Sequence, residues 1–196
     1  MNNIGEKVFE VQAQPEYTVQ KLIEDYRKRV KLEYVFFWGH HPAPNGLITT
    51  SCLSQWWEQK FLVGNQKYFC MEQYMMAEKA RLFGDTAIEK QIINCKDPKD
   101  IKDLGRKIRD FKEETWNKHK YAIVLNGNYN KFSQNEELKK YLLSTKAKIL
   151  VEASPYDNIW GIKMGASDKS INNPSCWKGQ NLLGFALMEV RVKIKE

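Results

Sequence analysis

The chain has 196 residues, 42% hydrophobic and 28% charged, which suits one globular domain with a single substantial core. Its 31 Lys and Arg against 24 Asp and Glu give a formal charge of +7 with no basic tail, a balance compatible with a phosphate-bearing partner and equally with a lysine-rich solvated surface. No stretch reaches the roughly 18 apolar residues of a membrane span, and Met1 to Gln14 lacks the apolar core of a signal peptide, so a soluble, cytoplasmic protein is expected.

Residues 18 to 31 predict an amphipathic helix, with Thr18 as N-cap and Val19, Leu22, Ile23, Tyr26 and Val30 as its apolar stripe. Tyr34 to Trp38 is aromatic and β-prone, a strand that runs into the turn residues Gly39 to Gly46. Phe61 to Val63 and Lys67 to Cys70 read as two short strands joined at Gly64-Asn65. Helices follow over Met71 to Leu82, stopped by Gly84, over Asp85 to Asn94, from Pro98 to about Arg109, and from Phe111 to Asn126. Asn126 to Phe132 reads as a polar turn and Asn135 to Ser144 as a short helix. Ile149 to Val151 is a short apolar run, and Ser154 to Gly179 a long polar loop of the kind that carries function. Asn181 to Val192 closes the chain as an apolar helix. The expected fold class is mostly α with a small β-sheet, in a single domain without internal repeats.

Cys52, Cys70, Cys95 and Cys176 form no C-x-x-C pair, and His40, His41 and His119 form no H-x-x-x-H. No zinc site is expected from such spacing, and scattered thiols read as reduced packing residues. The chain also lacks a G-x-S-x-G elbow, a G-x-x-x-x-G-K-[ST] loop and a G-x-G-x-x-G fingerprint.

Four stretches carry candidate chemistry. On a helix, Glu72, Met75, Met76 and Lys79 share one face, a carboxylate and an amine among large apolar side chains. Such charges are either paired as a surface salt bridge or used; Glu78 falls off the stripe and reads as solvated. Glu152 directly follows an apolar run, with Asp157 and Trp160 in the next turn, residues that can stabilise charge on a sugar ring and stack on a base, or simply cap and anchor a loop. Glycines flank Asn181, which can bond a ligand or mark a tight helix entry. Lys131 can meet a phosphate or stand exposed, while His40-His41 invites an acid–base role and otherwise reads as loop.

In order, Leu53-Ser54-Gln55-Trp56-Trp57, Phe61 with Tyr68, Met71 to Ala80, Leu104-Gly105-Arg106 and Lys131 to Asn135 resemble blocks of the NADAR (YbiA-like) family. The likeness continues through Leu143 with Thr145, Leu150 to Gly161, Gly179 to Gly184 and Leu187 to Arg191, and its spacing holds from about Val35 onward. It implies a YbiA-like domain over 34–196, with 1–33 as a helical N-terminal extension. It also implies an N-glycosidase that cuts a ribose C1–N bond, in phosphoribosylamino-pyrimidine intermediates of riboflavin synthesis or in ADP-ribose attached to guanine of DNA. By this likeness Glu72 matches the Glu of the family's E-H-Y block and Lys79 the Lys closing that helix. Glu152, Asp157, Trp160 and Gly161 match its V-E…D…W-G block, and Asn181 and Gly184 its N-x-L-G. The expected catalytic residues are therefore Glu72, Lys79, Glu152 and Asp157. The expected substrate-binding residues are Trp38, Gly39, Arg106, Lys131, Trp160, Gly161, Asn181 and Gly184, with no metal or organic cofactor. The partner would be a small phosphorylated nucleoside-type substrate or ADP-ribosylated DNA, with no membrane involved. Two departures stand out: Gln73 sits where His is common, and Lys163-Met164 where many members have another Gly. The alternative is a non-catalytic module that binds ADP-ribose or nucleic acid.

Overall fold

The computed structural model describes residues 13–195. In chain order the elements are α1 (Val19–Arg27), β1 (Tyr34–Phe37), a 3-10 turn (Thr50–Leu53), β2 (Phe61–Val63), β3 (Gln66–Tyr68) and α2 (Met71–Leu82). They continue with α3 (Thr86–Asn94), α4 (Pro98–Gly105), α5 (Glu113–Ser133), α6 (Glu136–Ser144), β4 (Ile149–Glu152), a 3-10 turn (Pro174–Cys176) and α7 (Leu182–Lys193). The predicted fold class, mostly α with little sheet, is the observed one. Of the expected N-terminal extension, residues 1–12 lie outside the described residues, and α1 carries the predicted cap, with Thr18 Oγ1 accepting from Lys21 N–H at 3.2 Å. No described helix is long and apolar enough to cross a membrane. The described elements form two compact units, one on Gln55–Asn135 and one on Pro15–Ser54 with Glu136 onward.

The first unit is helical. Its only sheet among the described residues is the antiparallel β2–β3 hairpin, with Phe61 opposite Tyr68. At its centre α2 packs against α3, α4 and α5, so every residue from Met71 to Ala77 is buried. A helix enclosed by three others needs apolar or fully satisfied groups all round, not the single stripe that the spacing predicted. Gln73 meets that demand: Oε1 accepts from Phe69 N–H at 2.8 Å, and Nε2 faces the carbonyls of Ile92, Ile93 and Cys95 at 3.1, 3.0 and 2.8 Å. The amide thus ties the start of α2 to the end of α3. Gln73→Leu keeps the volume and strips these bonds from buried backbone. It is expected to lower stability by about 2–4 kcal/mol, measured as a lower urea midpoint at an unchanged slope.

Asn126 to Phe132 is not a turn: it is the interior of α5, a helix of 21 residues. The Asn side chains that signal turns are turned inward, with Asn126, Asn128 and Asn130 donating through Nδ2 to the carbonyls of Ala122, Val124 and Asn126 at 3.0, 3.0 and 2.8 Å. Gly127 lets α2 approach, since a Cβ there would lie 2.4 Å from the Tyr74 ring and 2.6 Å from the Met71 methyl. Glu78 is also not solvated: its side chain is only 11% exposed and pairs with Arg81 one turn on.

In the second unit β1 and β4 pair in parallel, with Tyr34 opposite Ile149 and Phe37 opposite Glu152. Parallel pairing brings the C-terminal ends of both strands to one edge, where loops leave them. The closing helix α7 packs on β4 with almost all of its side chains buried, as its apolar sequence predicted.

Candidate active site

In the helical unit the carboxylate and the amine are held on one face of α2. Glu72 lies in the first turn, where the helix dipole favours a negative charge. Its N–H donates to Gln55 O at 2.9 Å, and its side chain is 3% exposed. The indole of Trp56 donates from Nε1 to Glu72 Oε2 at 3.2 Å, and Lys102 Nζ lies 6.0 Å from the centre of that indole ring. Two turns further along, Lys79 Nζ donates to Gly105 O at 2.9 Å and sits 4.4 Å from the Phe111 ring centre and 5.6 Å from that of Trp116. Burial pulls this amine below the usual lysine value of 10.5, while the charge of Glu72 pulls the other way. Gly105 permits the arrangement, because a Cβ there would lie 2.1 Å from Met76 Sδ. The neighbouring thiol is not a nucleophile at neutral pH, since burial pushes Cys70 up to about 12.

The other residues expected in this unit are placed differently. Lys131 is fully buried within α5, where its charge acts on Cys70. Arg106 caps α4, is largely exposed, and pairs with Asp103 at 2.6 Å.

In the other unit, the shared edge of β1 and β4 gathers Trp38, Gly39, Glu152 and the loop that follows it. Ala153 N–H donates to Phe37 O at 2.9 Å, carrying the pairing one residue beyond the ladder. Trp38 and Tyr156, 56% and 83% exposed, face each other with ring centres 6.2 Å apart. Gly39, at φ 80°, takes the left-handed turn that lets β1 leave the edge. Asp157 Oδ1 accepts from the N–H groups of Ile159 and Trp160, both at 2.8 Å, so one of its oxygens closes the turn. Trp160 is buried and anchors that loop, leaving Trp38 and Tyr156 as the open rings.

Asn181, Gly161 and Gly184 shape this edge from beneath. Asn181 is fully buried in the left-handed region at φ 55°; its Oδ1 accepts from Glu152 N–H at 3.0 Å and its Nδ2 donates to Leu150 O at 2.9 Å. Both ends of its amide are therefore bonded to β4. A Cβ on Gly184 would lie 2.1 Å from Leu150 O, and one on Gly161 would lie 2.8 Å from Glu152 O. These residues fix where Glu152 stands. Lys163 takes the left-handed backbone at φ 52°.

The helical unit supplies a buried carboxylate held by an indole N–H and a half-buried amine of lowered basicity; the other unit, by itself, supplies an exposed aromatic pair beside a strand-end carboxylate. Three contributors escaped the sequence reading: Trp56 on Glu72, the Phe111 and Trp116 rings around Lys79, and Tyr156 beside Trp38. Trp56 and Tyr156 left a trace as members of the family-like blocks, but no spacing rule joins a loop indole to a carboxylate 16 residues on.

The family model of the NADAR domain matches residues 36–195. The chain is 46% identical over 165 residues to "N-glycosidase R617" of Acanthamoeba polyphaga mimivirus, covering 81% of this chain and 95% of that protein. It is 39% identical over 130 residues to "Protein irg-1" of Caenorhabditis elegans, 65% of this chain and 61% of that one. The NMR structure of the Escherichia coli protein YbiA superposes with a TM-score of 0.67 at 24% identity, covering 85% of this chain and 88% of YbiA, so the fold is YbiA-like.

Proposed function

The chain belongs to the NADAR family, and from that premise we propose that it is an N-glycosidase cutting the ribose C1–N bond of a phosphorylated ribosyl or ADP-ribosyl compound. Its relatives R617 and YbiA carry the name N-glycosidase. The observation that supports the reading best is Glu72, a buried carboxylate in the first turn of α2 whose Oε2 is anchored by an indole N–H. An indole can only donate, so its bond to Oε2 favours the ionised form of Glu72.

As the C1–N bond breaks, its electron pair leaves with the nitrogen and positive charge grows on the ribose. The charge of Glu72 stabilises that cation, water adds to C1 as its proton passes to the carboxylate, and that proton is then given up to the departed nitrogen. In the other unit, Glu152 with Trp38, Gly39 and Tyr156 makes a second candidate edge for a sugar or base, with Asp157 shaping the loop behind Glu152. Lys79 defines a second route: its neutral amine displaces the base at C1, the C1–O4′ bond then breaks with O4′ taking the amine's proton, and water hydrolyses the resulting imine of the opened ribose. Borohydride traps an enzyme–ribose adduct only on the second route, and Lys79→Ala then abolishes it.

The reading is tested by mass-spectrometric product analysis on a phosphoribosylamino-pyrimidine and on a guanine-ADP-ribosylated DNA oligonucleotide. Release of ribose phosphate or of ADP-ribose identifies the substrate. Saturable binding of either without cleavage would leave a binding module in place of an enzyme.

Trp56→Phe keeps the ring under Lys102 and removes the donor to Glu72. A hydrogen bond to a charged group contributes about 1.5–3 kcal/mol, so kcat should fall about 10- to 100-fold with KM little changed. Because the indole favours the ionised carboxylate, the acid limb of the pH–kcat profile should move to higher pH. A profile that overlays the wild type would remove Trp56 from the mechanism.

A further inference from the structure

We propose that a groove in the Pro15–Ser54 and Glu136 onward unit binds an aliphatic anion, a carboxylate or phosphate ester on an alkyl chain, with Arg191 meeting its charge. The groove, about 720 Å³, runs between α1 and the C-terminal half of α7. Its floor is aliphatic, formed by Leu22, Leu32, Leu143, Ile149 and Met188, so it suits a chain better than a ring stack.

The charges around it are unbalanced. Lys31 pairs with Glu33 at 3.0 Å and the two cancel. That leaves Lys146, Lys195 and Arg191 against Asp25. Arg191 is 8% exposed, yet its Nη1 meets only neutral acceptors, Thr145 Oγ1 at 2.7 Å and Lys148 O at 2.9 Å. Among the described residues no carboxylate lies within ion-pair distance of it. The acidic group that acts on it is the Tyr17 phenol, and burial pulls the guanidinium below its ordinary range. Leaving a buried charge without a counter-charge is strongly unfavourable. Two bonds to Thr145 and Lys148 also use only part of a five-donor fork built to hold carboxylate or phosphate. An anion seated on Arg191, with its alkyl chain along the floor, offsets the charge and covers the apolar surface at once. The site is independent of Glu72 and Lys79 and of the reaction assigned to them.

The full chain is titrated by calorimetry with octanoate and with octyl phosphate, with inorganic phosphate and neutral octanamide as controls, while the Met188 methyl signal is followed by NMR. Saturable binding of an octyl anion with a shift of the Met188 methyl is expected, and the tighter of the two identifies the headgroup. Lys146→Glu, on the exposed rim, should weaken binding at least tenfold, and so should Arg191→Gln. The proposal is overturned if neither octyl anion saturates, or if octanamide binds as tightly. It is equally overturned if inorganic phosphate matches octyl phosphate with Met188 unmoved, or if Lys146→Glu leaves the affinity unchanged.

Discussion

Glu72→Gln is expected to cut turnover by about 10²- to 10⁴-fold while leaving the protein folded. The substitution is isosteric, and the amide oxygen of Gln still accepts from Trp56 Nε1, so the contacts that seat the side chain survive. What disappears is the negative charge and the ability to take a proton. General acid–base groups contribute about 10²–10⁴-fold, so kcat should fall by that factor, with KM within a few-fold and the melting temperature close to wild type. Because the charge of Glu72 also acts on Lys79 in the direction of a higher pKa, its removal leaves the amine more readily neutral. On the imine route Glu72→Gln therefore still traps with borohydride, and more so at a given pH; on the water route nothing traps in either protein. Turnover within threefold of wild type would remove Glu72 as the principal carboxylate, whichever route operates.

The elements that local chemistry defines were legible in the sequence. α2 ends where predicted because the left-handed Gly84 (φ 71°) terminates it, and α3 starts on Asp85, whose Oδ1 accepts from Ile88 N–H at 3.2 Å. The helix carrying Glu72 and Lys79 could be drawn from spacing alone, and their shared face follows from that helix. What distant residues decide was hidden. Asn126-Gly127-Asn128 has turn composition but lies inside α5, since the glycine is demanded by Tyr74 and Met71 more than 50 residues earlier. Gln73 read as a departure from the family's His, and its bonds to the end of α3 become visible only once the two helices pack. Glu78 read as solvated because it lies off the apolar stripe, although its partner Arg81 is three residues on in the same helix and within reach of an i,i+3 pair. Distance along the chain also hid the bonds of Asn181 to β4 behind a polar residue between glycines at a helix entry.

Asn181 is the residue whose loss should most damage the fold. Asn181→Leu forces a branched apolar residue into the left-handed region, which costs about 1–2 kcal/mol. It also leaves Glu152 N–H and Leu150 O buried without the bonds they make to the amide, about 1–3 kcal/mol each. Together these amount to roughly 3–8 kcal/mol, much of the 5–15 kcal/mol that holds a typical domain together. A fall in melting temperature of about 10 °C or more is expected. Asn181→Gly separates the two contributions, because glycine accepts the backbone geometry yet restores neither bond, so it should recover only the strain. If Asn181→Leu melts with the wild type, the amide does not hold β4 and the placement of Glu152 rests on something else. If Asn181→Gly melts near Asn181→Leu, the hydrogen bonds dominate, and Asn181 acts chiefly by fixing the strand end on which Glu152 stands.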